Sequence, residues 1–559
     1  MGRRPAAAVL SVGATFVALL VGAGLQRNSG GAGLNTPERP SPSAWRRVMS
    51  VLDRKSTPAS TANVLTYHND VARTGQNLNE KILTDASVRS DQFGKIGFLE
   101  TDGLVDAEPL YVSDIRIAGS SHNVVYVVTE HDSVYAFDAD TLVQLWHVTV
   151  LGADEIPSDD RNCAQVSPEI GITSTPVISV NGDHGMLYLV AMSKDSYGNY
   201  YQRLHALDLS SGAEIPGGPT TIEATFPNLK GQTVFDPKQY KERASLLLFN
   251  DVVYTSWASH CDEGEYTGWI MGYSASTLKQ TSVLNVTPNG NDGAIWMSGA
   301  GPAADPQGFI YIADANGTFD DQLTPSGFPI HGDFGNAFLK LTAGGGTLRV
   351  ADYFNTHDTQ IESGRDEDFG SGGALVLPDF KDGSGAIVQL AVAAGKDKRI
   401  YVVNRNSMGK FTHRRNRGIY QEIDSALAGQ VFAMPAYFNN TLYFGAINDT
   451  LKAFSIVDAK LVPDPVSKTA AHFAYPGTTP SVSANGISNG IVWAIEARGS
   501  EAGVLHAYEA GNLAHEFYNS VQAGGRDAFA DNKFVTPMIA NGHVYVGTLT
   551  GVIVFGLFE

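Results

Sequence analysis

One apolar pattern keeps returning along the chain: a short hydrophobic run carrying an aliphatic–aromatic pair, as in VVYVV at Tyr126, MLYLV at Tyr188, VVYTS at Tyr254 and FIYIA at Tyr311. RIYVV at Tyr401, TLYFG at Tyr443, IVWAI at Trp493 and HVYVG at Tyr545 bring the number to eight. Most are preceded by another apolar run that often carries proline (AEPLYV, TSTPVI, AMPAYF, VTPMIA), and many are followed by an alternating stretch (SVYAFDADT, RLHALDLSS, TLKAFSIVD, VLHAYEAGN). Short runs without helical periods between them predict three or four strands per unit. Such units repeated along one chain predict an all-β fold, an eight-bladed β-propeller of four-stranded antiparallel blades. The spacing is uneven, with the fourth interval the longest, so long loops join some strands, and loops gathered on one face of a ring are where a site is built. A ring of blades must also be closed. The early segment VLTYHNDVARTG is predicted to supply the outer strand of the blade that ends in VYVGTLTGVIVFGLF, so that N- and C-terminal strands close the ring together.

Composition agrees with many turns and a large packed interior: 559 residues, 59 of them glycine, 43% hydrophobic and 10% aromatic. The net charge of −19, from 58 acidic and 39 basic residues, argues against nucleic acid or an anionic membrane surface as partner. Residues 1–25 start with Arg3 and Arg4, run apolar from Ala6 to Leu25 and contain the small-residue stretch Val21-Gly22-Ala23. They read as an export signal, or as an uncleaved anchor that would be the only membrane contact. Residues 26–62, rich in Ser, Pro, Gly and Arg, read as a disordered linker, leaving 63–559 for the propeller. The expected location is periplasmic or extracellular. There Cys163 and Cys261, the only cysteines, either pair across a large loop or remain two buried thiols.

The stretch VYAFDADTLVQLW, residues 134–146, resembles the repeat of pyrroloquinoline-quinone propellers, which ends in a Thr-Gly turn and a docking tryptophan; here Leu142 replaces the glycine. The resemblance runs from about residue 64 to the end and includes TYHNDVARTG, similar to the family's opening strand. It implies an eight-bladed ring with a cofactor on its axis. The same propeller serves quinoprotein dehydrogenases and a cofactor-free outer-membrane assembly scaffold, so chemistry must be argued from residues.

In the dehydrogenases a metal-binding glutamate stands a few residues before a strand resembling GWIMGY, and Glu263 occupies that place in CDEGEYTGW. GFIYIADANGTFD resembles the strand ending in the metal-binding asparagine, here Asn316, and GAIWMSGAGPAAD resembles the segment whose tryptophan underlies the quinone, here Trp296. The aspartate motif is interrupted by an insertion in DYFNTHDTQIESGRDEDFGSGG. It offers His357, Asp358, Asp366 and Asp368, with the choice of proton acceptor and metal ligand lying between Asp366 and Asp368. VAAGKDKRIYVVNR resembles the strand whose basic residue contacts the quinone oxygens; Lys396 stands there, where many relatives have arginine. The implied cofactors are pyrroloquinoline quinone and Ca²⁺, which takes six to eight oxygens near about 2.4 Å. A second carboxylate would favour a lanthanide. The softer donors His260 and Cys261 are adjacent, so on extended backbone they would point to opposite faces and could hardly share one ion.

Together these features imply an oxidoreductase acting on a small-molecule alcohol or sugar: the metal polarises the quinone carbonyl, an aspartate takes the hydroxyl proton, and hydride passes to the quinone. The adjacent cysteine pair that roofs the quinone in many relatives is absent, and without a Cys-x-x-Cys-His motif the electrons must leave to a separate carrier. The alternative is a non-enzymatic binding or scaffold propeller. A hydrolase is disfavoured by the absence of a Gly-x-Ser-x-Gly elbow and of a clear zinc motif.

Overall fold

In a computed structural model, residues 63–499 and 501–558 are described; the segments read as export signal and linker lie outside them. Strands dominate, and they assemble into the eight blades that the repeat implies. Blade 1 is Leu110–Ile117, Ser120–Val128, Ser133–Asp138 and Gln144–Thr149; blade 2 is Val177–Asn181, His184–Asp195, Tyr200–Asp208 and Thr220–Thr221. Blade 3 is Leu247–Phe249, Val252–Ser259, Trp269–Ser274 and Gln280–Asn285; blade 4 is Ala303–Ala304, Phe309–Ala313, Ala337–Gly344 and Thr347–Asn355. Blade 5 is Leu375–Val376, Leu390–Ala394, Ile400–Asn404 and Gln421–Ile423; blade 6 is Ala436–Phe438, Thr441–Phe444, Asp449–Val457 and Ser467–Phe473. Blade 7 is Ser481–Asn485, Ser488–Glu496, Ala502–Glu509 and Asn512–Asn519, and blade 8 is Met538–Ala540, His543–Thr548, Gly551–Leu557 and Phe93–Glu100.

The recurring aromatic sits on the second strand of every blade but the fifth, where Tyr401 is on the third strand, and all eight are buried. Its polar end explains why tyrosine is favoured there. Tyr126 Oη donates to the Leu209 carbonyl of the next blade (3.0 Å), Tyr188 to Ala275 (3.1 Å) and Tyr443 to Ala510 (2.8 Å), so an apolar body fills the gap between blades while the hydroxyl is satisfied across it. Trp146 docks in the same way, its indole N–H reaching Leu209 O at 3.1 Å. Its ring lies over Gly212, where a Cβ would come within 2.9 Å of the indole and where the backbone is left-handed (φ +67°).

The ring is closed by terminal strands, but by a different N-terminal segment than expected. Phe93–Glu100, not VLTYHNDVARTG, pairs antiparallel with Gly551–Leu557. The earlier segment fills the hub instead, bonding to the innermost part of each blade in turn. Val64 exchanges backbone bonds with Tyr111 of blade 1, and Leu65 O accepts from Ile178 of blade 2. Arg73 donates to Leu246 O beside blade 3. Val71, Ala72, Thr74 and Gly75 carbonyls accept from Ala304, Val376, Tyr437 and Val482 of blades 4, 5, 6 and 7, and Asn77 Nδ2 donates to Ile539 O of blade 8. Fully buried Arg73 also donates to Pro302 O, Tyr67 O and Thr66 Oγ1, which satisfies its guanidinium without a direct carboxylate partner. Gly75 is left-handed (φ +69°) and lies against the His68 ring, leaving no space for a side chain.

Candidate functional site

A cavity of about 350 Å³ opens among the loops on the axis. All eight junctions between blades contribute to its wall: Asp106 before blade 1, then Gln165, Arg243, Trp296, Asp366 with Asp368, Phe432, Tyr475 and Phe534 before the blades that follow. Connections between second and third strands add Asp262 in blade 3, Asn316 in blade 4 and Lys396 in blade 5. Trp296, Asn316, Asp366, Asp368 and Lys396, nominated by their flanking sequence, therefore line one cavity. Glu263 does not; it is exposed, and the acid on that wall is its neighbour Asp262, whose Oδ1 accepts from Ser259 Oγ (2.5 Å) and Tyr266 Oη (2.8 Å). His357 and Asp358 lie outside the lining, Asp358 beside Arg399 at 3.6 Å.

The insertion in the aspartate motif is a short α-helix, Thr359–Gly364, after which the chain turns through left-handed Asp366 (φ 58°). Asp366 and Asp368 meet at one cation. Lys396 Nζ lies 2.7 Å from Asp366 Oδ1 and 2.8 Å from Asp368 Oδ2. Asn316 joins them, its Nδ2 donating to Asp366 Oδ1 (2.9 Å) and its backbone N–H to Asp368 Oδ1 (3.0 Å). The Asn316 Oδ1 atom is buried and has no hydrogen-bond partner, an unusual cost for an amide oxygen unless a ligand satisfies it. Burial raises the Asp368 carboxyl above its ordinary value against the opposing pull of Lys396. Burial pulls Lys396 down, but the two carboxylates outweigh it and its ammonium is held above the ordinary lysine value.

The opposite flank is aromatic and basic. The Trp296 and Phe432 ring centroids are 6.0 Å apart, with Lys396 Nζ 5.8 Å from each; Phe432 meets Tyr475 edge-on at 5.6 Å, and Tyr475 meets Phe534 at 5.7 Å. Arg243 lies over Phe534, and buried Lys241 is pushed down to about 8 by desolvation and by the Arg243 charge, with Gln165 Oε1 as its partner at 2.9 Å. Trp296 precedes a tight turn with Met297 (φ 40°) and Ser298 (φ 51°) left-handed. Ser298 Oγ donates to Ser371 O (2.6 Å), and Ser371 Oγ donates to Val431 O (2.7 Å), which ties the loops bearing Trp296, Asp368 and Phe432 together.

A planar anionic quinone and a hard cation fit this donor set: rings for the plane, Lys396, Arg243 and Lys241 for negative oxygens, and two carboxylates plus an unpartnered amide oxygen for the ion. Residues that flanking sequence did not single out are Asp106, Arg243, Phe432, Tyr475 and Phe534 in non-repeating loops, and Lys241 on the short strand Tyr240–Glu242. At the rim, Cys163 and Cys261 form a disulfide with Cα atoms 6.3 Å apart, within the usual bridging range.

No protein-family model matches the chain, and no curated protein does. Solved structures place the fold: it is an eight-bladed propeller similar to those of quinoprotein alcohol and methanol dehydrogenases. One such structure is the quinohemoprotein alcohol dehydrogenase from Comamonas testosteroni, at 12% identity and TM-score 0.57 over 92% of this chain and 84% of that one. A second is a quinohemoprotein alcohol dehydrogenase from Pseudomonas putida HK5, at 13% and 0.55 over 92% and 82%. A third is a europium-containing methanol dehydrogenase, at 11% and 0.59 over 89% and 98%. Likeness at these identities establishes architecture; activity has to come from the cavity.

Proposed function

We propose that the protein is an exported, pyrroloquinoline-quinone-dependent oxidoreductase that oxidises a hydroxyl of a small alcohol or sugar in the axial cavity. The observation that carries this reading is the unpartnered Asn316 Oδ1 in one cavity with two carboxylates, one lysine and a half-buried tryptophan. When bound, the quinone with its Ca²⁺ or lanthanide partner supplies the hydride acceptor and the Lewis acid. Trp296 would offer the surface for a planar ring, and Lys396 would donate to its oxygens. Asn316 and the buried Asp368 would hold the cation. Asp366, whose side chain is 73% exposed, is the carboxylate a substrate can reach, and it takes the hydroxyl proton. Lys396 and the Asn316 amide orient it for that transfer. Asp262, rather than Glu263, supplies the acidic group on the blade 3 wall. The disulfide supports an oxidising location outside the cytoplasm. Among the described residues no helix is long and apolar enough to cross a membrane. Electrons leave to a separate carrier.

The test is reconstitution. The purified protein is titrated with pyrroloquinoline quinone and Ca²⁺ or a lanthanide while tryptophan fluorescence and dye-linked oxidation of alcohols and sugars are followed. Saturable quenching with turnover is expected. Asp366→Asn should keep the binding and lose turnover by about a hundredfold or more, whereas Asn316→Ala should lose binding. If no quenching or turnover appears and both variants behave as the parent, the scaffold reading stands instead.

A further inference from the structure

The disulfide has an unusual neighbour. His260 is 1% exposed, yet neither ring nitrogen has a hydrogen-bond partner. The Asp160 carbonyl lies near the ring, and it accepts the Cys163 N–H at 2.7 Å. A buried imidazole with both nitrogens unsatisfied costs stability unless something else uses it. Adjacent residues on an extended strand would diverge, but Cys261 is left-handed (φ 54°), as is Asp262 (φ 54°), so the chain reverses immediately after His260. That turn overturns the expectation that His260 and Cys261 cannot serve one ion. A ring nitrogen of His260 and the sulfurs of Cys163 and Cys261 all lie within 4.8 Å of one another, the one such group of three among the described residues.

We propose that the Cys163–His260–Cys261 cluster is a reductively unmasked site for a soft d¹⁰ cation, Cu⁺. Two electrons and two protons from a dithiol reductant, itself oxidised to its disulfide, convert the cystine into two thiols. Binding of Cu⁺ then displaces the two thiol protons and forms two Cu–S bonds and one Cu–N bond. Two sulfurs and one imidazole suit a three-coordinate soft ion, whereas hard cations prefer the oxygen-rich end of the axial cavity. Charge points the same way: the complex carries one net negative charge, and around His260 the two cations Arg161, with buried Nε and Nη2 atoms lacking partners, and Lys241 act more strongly than the one acid, Asp159. The site adjoins the axial cavity, because Gln165 and Val166 follow Cys163 into the lining and Ser259 and Asp262 flank His260 and Cys261 there. Disulfide and metal are mutually exclusive occupants of this rim, so the cluster reports the local thiol redox state to the cavity wall.

The experiment reads metal binding, not turnover, and so does not depend on the quinone. Folded protein is reduced with dithiothreitol, desalted anaerobically and titrated with Cu⁺ against bicinchoninate, with the oxidised protein as control and near-ultraviolet circular dichroism as the check on folding. One Cu⁺ per reduced chain and none per oxidised chain is expected, with X-ray absorption reporting two sulfurs and one nitrogen. His260→Ala, which leaves both cysteines in place, should weaken binding by more than about a hundredfold, beyond the roughly 10–100-fold that loss of a supporting outer contact costs. Cys163→Ser should abolish it. Equal Cu⁺ uptake by reduced and oxidised protein, undiminished affinity in His260→Ala, or loss of the native circular dichroism on reduction would each overturn the site.

Discussion

Lys396 serves two carboxylates that differ sharply in exposure, 73% for the Asp366 side chain and 6% for Asp368. The consequence differs for each. Asp366 is largely solvated, whereas Asp368 depends on the lysine, because burial already lifts its folded-state value above the unfolded one. A carboxyl raised in this way binds its proton more tightly when folded, so it costs stability as pH rises from its unfolded value through its folded one. Lys396, raised by its carboxylate partners, contributes stability that is complete below its unfolded value and lost only as strongly alkaline pH passes the folded one. Lys396→Met should therefore destabilise the protein by about 3 kcal/mol near neutrality, the cost of leaving a buried charge unpaired. The deficit should shrink on acidification as Asp368 takes up a proton. Urea midpoints of parent and variant from pH 4 to 8 check this, and a pH-independent difference would assign the loss to packing instead.

At the scale of elements, the repeating strands could be read from sequence and the loops only in part. Most second strands announce themselves by an aromatic that fills the interblade gap, and Tyr126, Tyr188 and Tyr443 each add a hydroxyl bonded across it. Asn316 and Lys396 could be found because they directly follow second strands, and Trp296 because of the flanking stretch GAIWMSGAGPAAD. Phe432, Tyr475 and Arg243 lie in loops with no period, and only the closed ring brings them together. The segment 64–77 misled for a physical reason: its alternating apolar and polar residues look like an edge strand, but its bonds go one by one to eight different blades and not to a single partner. Arg73 is the centre of that arrangement, being fully buried and bonded to carbonyls from three separate stretches of chain. Arg73→Met keeps much of the side-chain volume but leaves those carbonyls without donors. A loss of roughly 3–5 kcal/mol is expected from the urea midpoint. A loss below about 1 kcal/mol would mean that water replaces the guanidinium and that the hub is not sealed.

For the whole molecule, closure decides how the ring comes apart. Open repeat arrays unfold from their ends, because terminal units have one neighbour and repeats are coupled only to those beside them. Here Phe93–Glu100 joins Gly551–Leu557 in one blade, and the hub segment is bonded to all eight, so no blade is terminal and each is coupled to the others through the centre. Leu99 on the closing strand and Leu442 in blade 6 are both buried, at 1% and 0% exposure, and belong to separate core clusters. Each substitution to alanine should cost about 2–5 kcal/mol. Both should shift one shared transition without changing its dependence on urea, and the double variant should add to within about 0.5 kcal/mol. Tryptophan fluorescence and far-ultraviolet circular dichroism should report the same midpoint in all four proteins. Were Leu99→Ala alone to split the transition, with blade 8 lost before the rest, the terminal strands would be a local patch on an otherwise self-sufficient array, and the hub segment would not couple the blades.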